Sequence, residues 1–275
     1  ERIGQGRDNA KQYIADHPEL AAELERRMKG DLPADWADIA AAMVKKAVEA
    51  GESIATRVAS KKALEELVGN LPEMLGGSAD LTGSVGTKTS HSVNFDPATC
   101  TGNYLAYGVR EFGMSAIMNG LALHGGFIPY AGTFMVFSDY AKNALRLAAL
   151  MGTRAVWVFT HDSIGVGEDG PTHEPVEQEA QIRLMEELKN FSGKPSMLVL
   201  RPADAVETSV AWQMAMDNFS TPTALILSRQ NIKDLPAATG NRFEEALGAH
   251  QGGYVVMDTP HPQVVLVANG SEVSL

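Results

Sequence analysis

Several short stretches of this sequence hold residue types that can do chemistry. His161, Asp169 and His173 share one glycine-rich loop. Two imidazoles and a carboxylate this close together can hold a metal, or can serve a hydroxylated substrate as hydrogen-bond and proton-transfer groups. The sequence has no carboxylate–histidine helix pair and no cysteine pair of the usual zinc kind, which weighs toward substrate contact. Within the loop, Gly165-Val166-Gly167-Glu168-Asp169-Gly170 fits G-x-G-x-x-G after an apolar run. Two carboxylates stand where a pyrophosphate would have to approach, and Pro171 follows. The run therefore reads as a glycine-rich active-site loop rather than a dinucleotide fingerprint. Phe134, Phe137 and Tyr140 repeat at three-residue spacing, which suits core packing or an aromatic platform for a flat ring. Glu111 stands before an apolar helix. An acid there complements the helix dipole; buried beside a ring nitrogen, it would be catalytic.

The elements that must position these residues alternate between helices and strands. Helical spacing covers 1–31, with Pro18 at a helix start and Gly30 as a stop. A second helix is expected over 36–50, with Asp35 as N-cap and Gly51 as stop, and a third over 54–68. Residues 76–101 read as a long loop rich in Gly, Ser and Thr. Apolar periodicity then marks a helix from Glu111 to Gly125-Gly126 and another through Phe137, Tyr140, Ala141, Ala144, Leu145 and Ala148. Short apolar runs at 155–159, 197–200, 224–227, 254–257 and 264–268 read as buried strands, with Asp204 and Glu207 capping a helix between two of them. Such alternation implies a doubly wound α/β domain with a mainly parallel sheet covered by helices on both faces. Three of the strands run into polar residues: His161-Asp162-Ser163, Arg201-Pro202 and Ser228-Arg229-Gln230. Ligands in open α/β sheets bind beyond the carboxyl ends of strands, so a site is expected there.

Composition narrows the function classes. The 275 residues are 44% hydrophobic and 21% charged, with a formal net charge of -11. That balance argues against a nucleic-acid footprint. It leaves room for anionic small substrates, because a few clustered Arg and His create a local positive site. Neither a membrane span nor a signal peptide is expected. The single cysteine, Cys100, cannot pair within the chain, which fits a reducing, cytoplasmic compartment.

Five motifs together resemble transketolase: Gly76-Gly77-Ser78-Ala79-Asp80-Leu81-Thr82, Tyr107-Gly108-Val109-Arg110-Glu111, Thr133-Phe134-Met135-Val136-Phe137, the block from His161 to His173, and Leu227-Ser228-Arg229-Gln230-Asn231. They come in that family's order and at nearly its spacing, from about residue 15 onward. The resemblance implies the family's pyrimidine-binding domain. It implies transfer of a two-carbon ketol unit from a ketose phosphate to an aldose phosphate with thiamine diphosphate, in a homodimer. Glu111 matches the glutamate that hydrogen-bonds the aminopyrimidine and promotes loss of the thiazolium proton. Phe134, Phe137 and Tyr140 match the aromatic pocket around that ring, with Phe134 closest to the stacking position. Asp80 matches an aspartate near the cofactor at the subunit boundary. Arg57, Ser84, His161 and Arg229 match the groups that hold the sugar phosphate. Asp169 matches a group that reads a substrate hydroxyl, and His173 a histidine at the reacting carbons.

The sequence also departs from the pattern. Ser84-Val85-Gly86 lacks the asparagine expected after that serine, and the stretch 181–196 is longer than in many relatives. Nothing matches the Gly-Asp-Gly motif and later asparagine that hold the diphosphate with its Mg2+ or Ca2+. No metal ligand is therefore expected in this sequence. The expected organisation is a helical lead-in (1–50), a pyrimidine-binding α/β domain (51–245) and the start of a further α/β domain (246–275). Such a piece is expected to be inactive alone. The resemblance also admits a dihydroxyacetone synthase, a phosphoketolase-like enzyme, or a subunit that needs a separate diphosphate-binding chain. Residues 1–7 are similar instead to a piece of the bacterial strand-exchange recombinase, through a fusion junction, an artefact or chance. That protein's nucleotide-binding loop is absent, so no function is carried over.

Overall fold

The structure is a computed structural model and describes residues 7–274. Glu1–Gly6, which carry most of the recombinase-like stretch, lie outside the described residues. Helices α1 (Arg7–Asp16) and α2 (Pro18–Lys29) lead in. Pro18 occupies the first turn of α2, where its missing N–H costs nothing, and Gly30 ends it in the left-handed conformation. Helix α3 (Trp36–Ala50) starts at Asp35 and stops at Gly51 as expected, but the Asp35 side chain makes no capping bond. Helix α4 spans Thr56–Asn70, two residues later at each end than the periodicity places it.

Six strands form one sheet: β1 (Met74–Ser78), β2 (Tyr104–Ala106), β3 (Ile128–Phe134), β4 (Val156–Thr160), β5 (Leu198–Leu200) and β6 (Thr223–Leu227). Their order is β2-β1-β3-β4-β6-β5 and every pairing is parallel. Every residue of β1, β3, β4 and β6 is buried, as expected for strands covered on both faces. Alternation splits the core into two layers. Val156 and Val158 of β4 join Leu64, Leu67 and Trp212 under α3, α4 and α9 (Ala205–Asp217). Trp157 and Phe159 join Met114, Met118 and Leu145 under α6 (Glu111–His124) and α7 (Ser138–Met151). At the start of α9, Asp204 accepts from the Glu207 amide at 2.7 Å while Glu207 accepts from the Ala203 amide at 2.8 Å, so the expected cap is present.

Three expectations need correction. The stretch 76–101 is not loop throughout: it begins inside β1, and α5 (Thr82–Val85) follows. The glycines of β1 make room for rings. A Cβ on Gly76 would lie 2.5 Å from the Tyr130 hydroxyl, and one on Gly77 2.2 Å from the Tyr107 ring. Strands were also expected at 254–257 and 264–268. The structure has none there, and Val264, Val265, Leu266 and Val267 are 72–91% exposed. A parallel strand needs neighbours to take its backbone bonds, and among the described residues none lies beside this segment. Beyond it, residues 270–274 are tied to the sheet. The Gly270 amide donates to the Arg201 carbonyl at 3.0 Å, and the Arg201 guanidinium bridges Asp162 at 2.9 Å and Glu272 at 2.6 Å.

Candidate active site

Parallel pairing brings the ends of β3, β4 and β6 level, with Phe134 opposite Thr160 and Thr160 opposite Leu227. The residues that follow each strand therefore share one rim. His161 leaves β4 with a φ of 62°, a left-handed conformation rare outside glycine and typical of functional turns. Its Nδ1 lies 2.9 Å from Thr160 Oγ1 and its Nε2 3.5 Å from Asp169 Oδ2. Its ring rests on Phe134, centroids 3.8 Å apart. Burial pushes the His161 imidazole down to about 4; Arg57, Arg229 and His173 add to that, and Asp169 opposes it.

The aromatic stripe is neither pure core nor pure surface. Phe134 is buried, Phe137 half-buried and Tyr140 exposed. Phe134 and Phe137 lie nearly parallel with centroids 5.8 Å apart, and His173 meets both edge-on at 5.6 Å. His173 Nδ1 is held 2.8 Å from Thr172 Oγ1.

Two guanidiniums approach the same loop. Arg229 follows β6 and pairs through Nε with Asp169 Oδ2 at 2.9 Å and through Nη2 with the exposed Glu168. Arg57, in the first turn of α4, donates to the Ser84 carbonyl at 2.7 Å, while its Nε is buried without a partner. Its pKa is lowered first by burial and then by Arg229, with Asp169 opposing. The glycines of the loop serve its shape. A Cβ on Gly165 would lie 2.2 Å from the Gln230 amide, and Gly167 and Gly170 have φ of 71° and 76°.

At the β1–β2 end of the rim, Glu111 begins α6 and is 7% exposed. No described residue hydrogen-bonds or ion-pairs with its carboxylate. Asp80 follows β1 with a φ of 66° and is exposed. Ser84 is exposed too, and its backbone rather than its hydroxyl meets Arg57. Tyr104 Oη lies 3.0 Å from Thr82 Oγ1 and 2.8 Å from Thr87 Oγ1, which pins the segment carrying Asp80 and Ser84.

The structure thus links Phe134, Phe137, Tyr140, His161, Asp169, His173 and Arg229 by direct contacts, and Arg57 to them electrostatically. Glu111 and Asp80 share the rim without touching that cluster. Sequence reading missed Tyr107 and Thr133, whose hydroxyls are buried without partners. Burial and the neighbouring Tyr104 raise the Tyr107 phenol well above its ordinary value. Both sit inside motifs already noted, and an unspent hydroxyl leaves no mark in a sequence.

These features fit the aminopyrimidine end of thiamine diphosphate. The Tyr107 and Thr133 hydroxyls are buried without partners, which buried polar groups ordinarily have, and the Glu111 carboxylate makes no hydrogen bond or ion pair with the described residues. Phe137 and Tyr140 extend an aromatic wall from Phe134 toward solvent. Among the described residues no group of three or more His, Cys, Asp or Glu is arranged to hold a metal ion.

Comparison with known proteins agrees with this fold. Residues 52–234 match the family described as transketolase, pyrimidine binding domain, and residues 1–32 match the RecA C-terminal domain. Transketolase 2 of Vibrio parahaemolyticus is 48% identical over 264 residues, covering 96% of this chain and 38% of that protein. A transketolase structure from Leishmania mexicana superposes with a TM-score of 0.82 at 43% identity, covering 97% of this chain and 37% of that one. One from Pichia stipitis in complex with sedoheptulose-7-phosphate gives 0.81 at 42% identity, over 97% and 38%. The chain thus spans about 38% of the length of the curated relatives it matches. With a buried parallel sheet of matching fold and a family match over residues 52–234, the chain belongs to the transketolase family.

Proposed function

We propose that this chain supplies the aminopyrimidine and sugar-phosphate half of a transketolase active site, with the cofactor's diphosphate and metal ion held by residues outside it. The activity is transfer of a two-carbon ketol unit from a ketose phosphate to an aldose phosphate. The observation that carries this reading is the convergence of Arg57, Arg229, His161 and Asp169 beside the aromatic wall at one rim of the sheet.

Thiamine diphosphate, when bound, supplies the carbon nucleophile that carries the two-carbon unit between donor and acceptor. Glu111 would hydrogen-bond a nitrogen of its aminopyrimidine, and Phe134, Phe137 and Tyr140 would wall the ring against water. Arg57 and Arg229 bind the phosphate of the sugar; a guanidinium meets phosphate oxygens through paired N–H donors. His161 is neutral at neutral pH, so its Nε2 can donate to or accept from a sugar oxygen without carrying charge. Asp169 accepts from a substrate hydroxyl, and its pairing with Arg229 keeps the carboxylate facing the same space. His173, with Nδ1 engaged by Thr172, presents Nε2 for proton exchange with the oxygens of the reacting carbons. Asp80 stands at the rim beside the boundary with a second subunit, in a homodimer. A single unpaired cysteine, exposed at Cys100, accords with a cytoplasmic setting. Among the described residues no helix is long and apolar enough to cross a membrane.

The phosphate contacts in this reading all come from this chain, so the chain itself tests it. D-ribose 5-phosphate should bind measurably in a nuclear magnetic resonance titration, with shifts at Arg57, His161 and Arg229. D-ribose should bind far more weakly. Equal binding of the two sugars would refute the phosphate assignment.

A further inference from the structure

Arg57 and Arg229 come from distant parts of the chain, yet each follows directly on a buried hydroxyl. Thr56 is 0% and Ser228 1% exposed. The two close a reciprocal ring. The Thr56 amide donates to Ser228 Oγ at 3.0 Å, and the Ser228 amide donates to Thr56 Oγ1 at 2.7 Å. The hydroxyl protons are placed as well: Thr56 Oγ1 donates to Ser228 Oγ at 3.2 Å, and Ser228 Oγ donates to the Gln230 carbonyl at 3.0 Å. Beside the ring, the Ala55 amide donates to Asn231 Oδ1 at 3.1 Å and the Ile232 amide to the Ile54 carbonyl at 3.2 Å.

This arrangement caps α4 from across the sheet. The N-cap position of α4 is Ala55, which has no side-chain oxygen to offer the orphan amides of the first turn. Ser228 and Asn231, from the end of β6, take those amides instead. The cap therefore welds the helix start that carries Arg57 to the strand end that carries Arg229. The weld works against a real force. The two guanidiniums repel one another through space: burial lowers the Arg57 pKa, and Arg229 lowers it further. Of the two arginines only Arg229 pairs directly with Asp169, so like-charge repulsion would spread the two elements if their backbones were free.

We propose that Thr56 and Ser228 are positioning residues for phosphate recognition: their buried hydroxyl pair sets the separation of Arg57 and Arg229 so that both guanidiniums reach one phosphate. The proposal rests on the sugar-phosphate reading above and adds to it the element that makes two distant arginines act as one site. Thr56→Val keeps the side-chain shape but leaves the Ser228 amide buried and unpaired. Ser228→Ala removes the acceptor of the Thr56 amide.

The test titrates inorganic phosphate into the 275-residue chain, followed by nuclear magnetic resonance, with a thermal melt of each variant alongside. Thr56→Val and Ser228→Ala should each weaken phosphate binding about 5- to 20-fold. Thr56→Ser, which keeps the hydroxyl, should bind like the wild type. The double variant should be little worse than either single one, because the pair acts as a unit. Thr153→Val is the control: it removes a buried hydroxyl bonded to Asn119 at the opposite end of the strands. It should lower the melting temperature and leave phosphate affinity unchanged. Wild-type phosphate affinity in Thr56→Val and Ser228→Ala, with affinity lost in Arg229→Ala, would overturn the positioning role and leave the phosphate reading standing. Retained affinity in Arg229→Ala would overturn both. Equal loss in Thr153→Val would reduce the effect to general destabilisation and overturn the positioning role. Should Thr56→Val not fold, Ser228→Ala with Thr56→Ser carries the same comparison.

Discussion

The Phe134 ring lies against the His161 imidazole, with centroids 3.8 Å apart and 31° between their planes. The residue at the end of one strand thereby covers the residue that leaves the next. The contact strips water from His161, and the two nearby guanidiniums add a penalty for a further positive charge. The structure keeps this histidine neutral over the whole physiological range.

His161 should titrate near pH 4 in the folded chain, followed through its imidazole carbon resonances. The folded value lies below the ordinary 6.5, so the unfolded chain takes up the proton first as pH falls. This group's contribution to stability is then intact above about pH 6.5 and is lost progressively down to about pH 4. Each unit corresponds to about 1.4 kcal/mol, so denaturant unfolding should lose about 3–4 kcal/mol across that window through His161. His161→Phe should flatten that part of the profile. A titration midpoint at or above 6.5 would contradict the burial argument.

Arg229→Ala in the complete enzyme should raise KM for phosphorylated substrates and spare unphosphorylated acceptors. A charge-assisted hydrogen bond contributes about 1.5–3 kcal/mol, which corresponds to a KM rise of about 10- to 100-fold. Steady-state kinetics with paired phosphorylated and unphosphorylated aldoses measures it. Equal damage to both classes would count against a phosphate role.

Glu111→Gln should fold normally and turn over at least about 100-fold more slowly. The amide keeps the shape of the carboxyl but cannot ionise. Circular dichroism of the chain checks the fold, and ketol transfer by the complete enzyme checks the rate. Near-normal turnover would remove Glu111 from the catalytic groups.

The chain by itself should transfer no ketol unit and should bind thiamine diphosphate more weakly than about micromolar. The cofactor's charged end is where anion-binding amides and metal ligands concentrate affinity. What this chain offers is a wall of rings and one carboxylate, and these must first offset the entropy of association. Calorimetry with magnesium and thiamine diphosphate decides it; tight binding or turnover would make the chain self-sufficient.

Gly77→Ala should destabilise the fold by about 1–3 kcal/mol in urea. Its new methyl would sit 2.2 Å from the Tyr107 ring and 2.8 Å from the Leu105 carbonyl. The carbonyl belongs to β2 and cannot swing away as a flexible side chain would. Unchanged stability would show that Tyr107 repacks freely.

Local signals in the sequence determined much of this protein. Pro18, Gly30 and Gly51 bound helices because φ preference and a missing N–H are properties of single residues. Asp204 and Glu207 cap α9 because a capping box spans only four positions. The apolar runs at β4 and β6 were legible because a strand buried on both faces is apolar at every position. That His161 and Arg229 would share one rim followed from the parallel sheet, which puts all strand ends on one side. Other features belonged to the tertiary structure alone. Strand β1 reads as loop because its glycines exist to admit rings from Tyr107 and Tyr130, residues far along the chain. The apolar residues 264–267 read as a strand, yet pairing needs neighbours that periodicity does not describe. The neutrality of His161 is a sum of burial and charges from four residues, two of them, Arg57 and Arg229, on distant segments. The ring between Thr56 and Ser228 was the least visible, because two common hydroxyl residues acquire their role only when the fold seals them together away from water.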